Sequence, residues 1–141
     1  MSRPTPRDVG DAEFVRLLEL RDGLRRFTHW SGDQAKQAGL TGAQHQLLLA
    51  VRGHGSRPSV GEVADHLLLR HHSAVELVDR AERAGLVRRL VDEADQRVVR
   101  LELTDDGNER LGVLAAAHLE ELSRLRPSVE RLWKHLPEMS S

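Results

Sequence analysis

The sequence predicts a mainly α-helical protein with one small β-hairpin, and three observations support this fold class. Apolar residues recur at spacings of three and four along most of the 141 residues, as on one face of a helix. Two short runs, 86–91 and 98–103, are instead β-branched and aliphatic and flank a polar stretch, as in a hairpin. Hydroxyl residues at Thr41, Ser59 and Thr104 stand directly before helical patterns, where such side chains cap helices.

The N-terminal part is predicted to contain one amphipathic helix over residues 11–30. Its apolar stripe consists of Phe14, Leu17, Leu18, Leu24 and Phe27. Residues 31–33 (Ser-Gly-Asp) are predicted to break this helix, and a short helical piece over 34–38 precedes a second break at 39–41. Residues 1–8 lack the apolar region of a signal peptide, so we expect a disordered tail there.

The middle of the chain carries three further helical segments that are separated by caps and turns. The first is predicted over 42–52, begins after Thr41 and ends at a Gly-His-Gly sequence. Ser59 and Glu62 fit a capping box, which predicts a short helix with Val63, Ala64 and Leu67 facing inward. After a turn over 68–70, a longer helix over 72–84 ends at Gly85. Its predicted inward positions are Ala74, Leu77, Val78 and Ala81.

The remaining elements are the hairpin and a long C-terminal helix. The hairpin has a polar, charged tip over residues 92–97. Thr104 is predicted to cap the following helix, whose first turn carries two aspartates. Pro127 is expected to end this helix, with a last helical segment over 128–136. The apolar stripe of the helix that follows Thr104 contains Leu111, Leu114, His118, Leu122 and Leu125.

The composition excludes several classes of site. The chain has no cysteine, which excludes disulfides, Cys-ligated metals and thiol chemistry and is compatible with a reducing, cytoplasmic location. No apolar run approaches the length of a transmembrane helix. The formal net charge of −1 lacks the basic excess that is usual for nucleic-acid-binding proteins. The acidic excess is greatest in residues 101–141, which carry 5 basic and 8 acidic side chains.

The order of these elements predicts a winged helix-turn-helix. In this fold the second helix of the pair lies in the DNA major groove and the hairpin reaches along the duplex. We assign residues 40–104 to this DNA-binding domain. The helical segments within 9–39 and 105–137 do not fit inside so small a domain, and their apolar stripes need a partner surface. A two-fold homodimer would bury both stripes, so these segments are predicted to form a dimerisation region.

Several short motifs stand in a characteristic order between Leu40 and about Leu111. They are Val63-Ala64-Asp65-His66-Leu67, Leu77-Val78-Asp79-Arg80, Gly85-Leu86-Val87-Arg88-Arg89, Asp95-Gln96-Arg97 and Leu101-Glu102-Leu103-Thr104-Asp105-Asp106-Gly107. With these motifs the chain resembles the MarR family of bacterial transcriptional regulators. The resemblance implies an obligate homodimer on a pseudo-palindromic double-stranded DNA operator, usually a repressor that a small ligand releases. The chain departs from the family pattern at Ala81, where Leu is usual, and at Glu76, where polar or basic residues are common.

The residues predicted to contact DNA lie at the hairpin tip and on the recognition helix. Arg97 is predicted to enter a narrow A·T-rich minor groove, where the negative potential is greatest, and the resemblance implies that Asp95 steadies it. Residues at the start of a recognition helix reach base edges. This predicts contacts from His71, His72, Ser73 and Glu76. A second group, predicted to bind phosphates, consists of Arg57, Arg70, Arg80, Arg88 and Arg100. Each of these arginines could instead belong to a surface ion pair, for example Arg80 with Glu76.

Two aromatic residues and two histidines suggest weaker sites. Phe27, His29 and Trp30 could line an effector pocket, although hydrophobic core is the simpler interpretation of these side chains. His118 lies on the apolar stripe of the last helix, so a buried, hydrogen-bonded histidine at the dimer interface is favoured over a metal ligand. No metal site and no cofactor are predicted, because adjacent His71 and His72 would point apart on a helix.

Two other classes of function stay open at the level of sequence. A winged-helix protein-interaction adaptor without DNA binding is compatible with the near-zero net charge. A small metal- or ligand-binding enzyme is worth asking about because the chain has eight histidines. The sequence contains none of the HExxH, GxSxG, P-loop or GxGxxG motifs, so no enzyme is predicted.

Overall fold

The computed structural model describes residues 5–134 and confirms the predicted fold class. The described elements follow the order α1 (Asp11–Gln37), α2 (Gly42–Gly53), α3 (Val60–Leu67), α4 (His71–Arg83), β1 (Val87–Val91), β2 (Val99–Leu103) and α5 (Asp105–Lys134). The strands pair antiparallel, with Val87 opposite Leu103 and Val91 opposite Val99. The predicted end of the last segment at residue 136 and residues 1–4 of the predicted tail lie outside the described residues. No helix in residues 5–134 is long and apolar enough to cross a membrane.

The three predicted hydroxyl caps are confirmed by hydrogen bonds. Thr41 Oγ1 accepts from the Gln44 backbone N–H at 3.0 Å, and the Gln44 side chain accepts from the Thr41 N–H in return. Ser59 and Glu62 form the predicted capping box at the start of α3. Thr104 Oγ1 accepts from the Gly107 N–H at 3.1 Å at the start of α5. α2, α3 and α5 therefore each begin where a side chain accepts a hydrogen bond from a backbone N–H that has no partner within the helix.

Two predicted helix breaks are wrong. α1 continues through residues 31–33 and the predicted short piece to Gln37. Ser31 is buried there, and its hydroxyl bonds to His118, so it does not compete for the helix backbone. α5 likewise continues through Pro127 to Lys134. Pro127 removes one backbone hydrogen bond but does not end this helix. The Arg126–Glu130 ion pair at 2.8 Å spans the position of the proline.

Residues 5–8 of the predicted disordered tail are ordered. Pro6–Asp8 form one turn of 3-10 helix, which Thr5 and Asp8 close with a capping box. The side-chain hydrogen bond from Thr5 is the largest cause that lowers the pKa of the Asp8 carboxyl below its usual value. The other boundaries move by about one residue: α4 begins at His71, and the strands begin at Val87 and Val99.

The segment Gly32–Ala116 forms one compact unit with its own hydrophobic core. Leu47, Val63, Val78 and Leu101 are completely buried in it, which brings α2, α3, α4 and β2 together. Among the predicted inward residues of α3 and α4, Val63, Val78 and Ala81 lie in this core, Leu67 and Leu77 pack against it, and Ala64 and Ala74 are buried. The loop before α3 also joins the hairpin, because the Leu101 N–H donates to Pro58 O at 2.8 Å. This bond fixes the hairpin to the loop that connects α2 and α3.

The described parts of residues 1–31 and 117–141 belong to a second compact unit. Apolar side chains on its part of α1 are largely exposed: Phe14, Val15, Leu17, Leu18 and Leu24. On its part of α5, Leu119, Leu122, Val129 and Trp133 are also exposed. Helices in water do not normally present so many apolar side chains without a covering surface. Four of the five predicted stripe residues of α1 are thus exposed, whereas Leu111 and Leu114 of the predicted α5 stripe are buried in the core of the other unit. Of the remaining predicted α5 residues, Leu122 is exposed and His118 and Leu125 are half-buried.

Candidate nucleic-acid interface

The pair α3 and α4 is joined by the predicted turn, which depends on one left-handed residue. Leu68 ends α3 with φ 55° and ψ 40°, and its N–H bonds back to carbonyls of α3. Its side chain is 92% exposed. Arg70 follows as the N-cap of α4, without a side-chain hydrogen bond to the helix. The turn sets the direction of α4 with backbone hydrogen bonds, and it leaves the start of α4 exposed.

The predicted recognition helix has one buried and one exposed face. Ala74, Val78 and Ala81 are completely buried. His71, His72, Glu76 and Arg80 are exposed, and Ser73 is half-buried at the edge between the two faces. Within residues 5–134, Glu76 and Arg80 form no ion pair, so the alternative assignment of Arg80 as the partner of Glu76 is wrong. The exposed face presents hydrogen-bonding side chains beside apolar packing, which is the arrangement that base contacts need.

Ala81 completes the buried face of α4 although it is smaller than the Leu that the resemblance leads one to expect. Its side chain is completely buried, and Leu77 packs against the same core. The neighbouring β1 is held close to α4 by ion pairs. Arg89 donates to Asp79 at 2.6 Å and to Glu82 at 2.8 Å, both on α4. The sequence interpretation did not single out Arg89, because an arginine on a strand gives no signal of two acidic partners on a preceding helix.

At the tip of the hairpin, Arg97 and Asp95 form a close pair. Arg97 Nε and Nη2 donate to the two Asp95 carboxylate oxygens at 3.1 and 3.2 Å, and the Arg97 N–H donates to Asp95 Oδ1 at 3.0 Å. These bonds lower the pKa of the Asp95 carboxyl below its usual value. The Arg97 side chain is nevertheless 91% exposed. The aspartate therefore orients the guanidinium without covering it.

Arg100 occupies a structural position between the hairpin and α3. It donates to Asp92 at 2.9 Å, to Glu62 at 2.8 Å and to the Arg57 carbonyl at 3.5 Å. The bond from Arg100 is the largest cause that lowers the pKa of the Asp92 carboxyl. These bonds engage Nε and Nη1 of the guanidinium, which leaves the two N–H donors of Nη2. Arg100 fits the ion-pair alternative better than a phosphate contact.

The remaining arginines of the predicted phosphate group differ in how they are held. Arg57 and Arg88 both contact Glu102, at 3.0 and 2.8 Å, and more than half of each side chain is exposed. Arg70 and Arg80 are exposed, and neither forms an ion pair within the described part of the chain. A carboxylate shared by two arginines leaves a net positive charge, so this group can still attract phosphates.

Phe27 and Trp30, suggested as effector-pocket residues, lie with His118 in the second compact unit. The Trp30 and His118 ring centres are 4.8 Å apart, and those of Phe27 and His118 are 5.8 Å apart. His118 Nε2 lies 2.7 Å from the Ser31 hydroxyl, so the histidine is hydrogen-bonded. His29 is exposed. Two cavities described beside the hairpin are lined by other residues, and neither involves Phe27, His29 or Trp30. The packing favours hydrophobic core for Phe27 and Trp30.

Comparison with known proteins shows which family this arrangement is similar to. A sequence profile of the MarR family matches residues 38–98, which include α2, α3, α4, β1 and the hairpin tip. The HTH-type transcriptional regulator PecS of Dickeya dadantii is 29% identical, over 69% of this chain and 67% of PecS. The HTH-type transcriptional repressor MdtR of Bacillus subtilis is 28% identical, over 65% of this chain and 59% of MdtR.

Solved structures show the same fold. A Staphylococcus aureus MepR mutant bound to an oligodeoxyribonucleotide superimposes with a TM-score of 0.62 at 20% identity, covering 86% of this chain and 83% of MepR. This likeness concerns the fold, while the matching profile and the two regulators carry the sequence relationship. The matched profile covers the helix-turn-helix, β1 and the hairpin tip, where the exposed face of α4 and the Arg97–Asp95 pair lie. Over residues 38–98 the chain is similar to the MarR family of transcriptional regulators.

Proposed function

We propose that this protein is a homodimer that binds a pseudo-palindromic double-stranded DNA operator and represses transcription from it. The observation that carries the proposal is the exposed, well-oriented Arg97 at the hairpin tip of a helix-turn-helix unit. A guanidinium held by one carboxylate and otherwise exposed is ready to enter a narrow minor groove. The MepR mutant with a similar fold was solved bound to an oligodeoxyribonucleotide, which supports DNA as the partner.

The recognition helix is proposed to supply the base contacts. His71, His72 and Ser73 at the start of α4, together with Glu76 one turn later, project from its exposed side. Histidine can donate to guanine or phosphate, and a glutamate can accept from the cytosine amino group. Arg57, Arg70, Arg80 and Arg88 are proposed to contact phosphates on either side. Such contacts give affinity and register without sequence preference.

The dimer is proposed to form through the terminal helices. The exposed apolar side chains of α1 and of the later part of α5 are the surfaces that a second copy would cover. Two copies related by a two-fold axis would present two recognition helices to two half-sites. The helical parts of residues 9–39 and 105–137 thus form the proposed dimerisation region around the DNA-binding residues 40–104.

Repression and its release are the finer parts of this proposal. The curated relative MdtR is named a repressor, which supports this direction of control. A small-molecule ligand is proposed to shift the dimer out of its DNA-binding arrangement. We propose a cytoplasmic location, because a regulator of chromosomal DNA acts there. We propose no catalytic activity, because both relatives are named as regulators.

Selection of bound DNA from random duplexes, followed by gel-shift titration of the selected sites, tests the proposal. Arg97→Ala should weaken binding by about tenfold and lower the salt dependence by about one released counterion. It should also relax the A·T preference beside the core site. Arg25→Ala is a matched control, because Arg25 is an exposed arginine paired with Asp22 at 3.1 Å on α1, outside the helix-turn-helix and hairpin. No selected sequence, or equal affinities for both variants, would contradict the proposal.

Sedimentation of the free protein tests the dimer. Leu18, 59% exposed on α1, is replaced by Glu, and Val91, 60% exposed on the hairpin, is replaced by Glu as the control. We expect the wild type and Val91→Glu to sediment as dimers at micromolar concentration. Leu18→Glu should sediment as a monomer, because it places a charge on the apolar stripe. A monomeric wild type would refute the proposed assembly.

A further inference from the structure

The fold brings together two histidines that have no role in the proposed DNA interface. His54 follows the end of α2, and His66 lies in the last turn of α3. His54 Nδ1 is 2.9 Å from His66 Nε2, and the two rings are nearly perpendicular. Two ring nitrogens at this distance share one proton, because an N–H···N bond needs one nitrogen with a free lone pair. No sequence motif with metal-ligand spacing links these two positions.

Glu62 fixes the orientation of the first histidine. Its Oε2 is 2.7 Å from His54 Nε2, while its Oε1 accepts from the Ser59 N–H and from Arg100 at 2.8 Å. The bond from the Ser59 backbone is the largest cause that lowers the pKa of the Glu62 carboxyl. An ionised carboxylate only accepts hydrogen bonds, so His54 Nε2 carries a proton. In the neutral ring, Nδ1 then has the free lone pair, and it faces His66.

This arrangement has the form of a metal site with its supporting shell. Histidines that bind metals in proteins usually donate their other N–H to a carboxylate or carbonyl, which fixes the ring and raises its basicity. We propose that His54 Nδ1 and His66 Nε2 bind a divalent transition-metal ion of the kind that imidazole prefers, with Glu62 as the carboxylate behind His54. The metal would take the place of the shared proton between the two rings, and that proton would pass through solvent to His66 Nδ1, so that each ring keeps one N–H.

The distances allow this exchange with a small movement. Two nitrogens bound to one tetrahedral Zn²⁺ at about 2.05 Å lie about 3.3 Å apart. The present separation is 2.9 Å, so the rings need to part by a few tenths of an ångström. His66 is exposed, so its ring can turn and water can complete the coordination. Since no group of three or more His, Asp or Glu ligands is found in residues 5–134, we expect a weak, exchangeable site.

The position of the site connects it to the DNA-binding elements. A metal at this pair would join the end of α2 to α3 across the intervening loop. Glu62, which supports His54, also holds Arg100 of β2. Metal binding would therefore stiffen the contact of α3 with the hairpin within the same compact unit, and it would change how readily both elements fit DNA together. The site itself does not depend on DNA binding.

Calorimetric titration of the full-length protein with Zn²⁺, without DNA, tests the site. We expect micromolar binding in the wild type, and at least tenfold weaker binding for His54→Gln and for His66→Gln. Glu62→Gln keeps a capping side chain but removes the carboxylate, and it should weaken binding about tenfold. The double variant with His71→Gln and His72→Gln is the histidine control and should bind as the wild type does. Thermal unfolding of each variant verifies that it is folded.

Repeating the titration in two buffers of different ionisation enthalpy measures the protons released. When both rings are neutral, the displaced proton passes to His66 Nδ1, so the net proton release should be close to zero in the wild type. Equal Zn²⁺ binding by the wild type and both single histidine variants would overturn the site, whatever the outcome with DNA. A gel shift with selected DNA then tests the regulatory part. At least a threefold change in affinity with Zn²⁺, absent in His66→Gln, is expected, and an unchanged affinity in the Zn²⁺-bound wild type would overturn that part.

Discussion

The start of α5 offers a sharp test of the packing, through a substitution that usually stabilises helices. Gly107 lies in the first turn of α5, directly beside the backbone of Leu86. A Cβ atom at this position would lie 2.1 Å from Leu86 O and 3.1 Å from Leu86 C. Leu86 O also accepts the Thr104 N–H at 3.0 Å, so it is fixed by the junction between hairpin and helix. Gly107→Ala forces these backbone segments apart.

The expected cost can be worked out from these contacts. Relief of the overlap needs a movement of about 1 Å, given ordinary C···O contacts of about 3.2 Å. Such a movement weakens the bond from Thr104 to Leu86 O and the cap from Gly107 to Thr104 Oγ1. Two bonds at about 1 kcal/mol each and an overpacking cost of about 2 kcal/mol exceed the helix preference for Ala of about 1 kcal/mol. The free energy of unfolding should fall by about 3 kcal/mol.

Urea unfolding followed by circular dichroism at a fixed protein concentration measures the difference. Gly112→Ala on the same helix is the control, because within the described residues a Cβ at Gly112 would meet no heavy atom within 4 Å beyond its chain neighbours and the adjacent backbone of its own helix. It should raise the free energy of unfolding by about 0.5–1 kcal/mol through helix propensity alone. The two substitutions are thus expected to have opposite signs. A Gly107→Ala variant as stable as the wild type would refute the assigned contact between α5 and Leu86.

Two other predictions concern the hairpin. Arg89→Met keeps the aliphatic stem of the side chain but removes both bonds to α4. Because 28% of the Arg89 side chain is exposed, and its acidic partners are more exposed, we expect the free energy of unfolding in urea to fall by about 1 kcal/mol. Equal stability would contradict a role of Arg89 in holding β1. Acid should loosen the hairpin tip, because bonds from Arg100 and Arg97 lower the pKa values of Asp92 and Asp95 below the usual 3.8. Their stabilisation is complete above that value and is lost as the pH falls through the lowered values. Carboxyl carbon shifts measured by NMR against pH would report both titrations, and midpoints at or above 3.8 would count against these bonds.

Local signals in the sequence were enough for most of the element order. Thr41 and Ser59 cap helices with their own neighbours, so three or four residues contain the whole interaction. Gly85, with φ 75°, ends α4 for an equally local reason, because glycine adopts this conformation without strain. The hairpin and the pairing of Asp95 with Arg97, two residues apart, are local in the same sense.

The interpretations of Ser31 and Arg100 depended on contacts between residues that are far apart in the chain. Ser31 and Gly32 weaken a helix by about 1 kcal/mol, and the bond from the Ser31 hydroxyl to His118, 87 positions away, is invisible to a local pattern. Arg100, for which the sequence left a phosphate contact and an ion pair open, also depends on a distant contact. Its partner Glu62 lies 38 positions earlier in the chain, and this pairing favours a structural role over phosphate binding.

Interactions between neighbouring residues, and the order of the elements, were sufficient to predict the mainly helical fold, the hairpin, the caps and the resemblance to the MarR family. Which arginines are engaged by carboxylates and which stay exposed could be read only from the folded chain. The fold also brings His54, which directly follows α2, against His66 of α3, with Glu62 of the same helix behind His54. Ion pairs and ligand sites join side chains far apart in the chain, and their distances exist only once the core has fixed the helices.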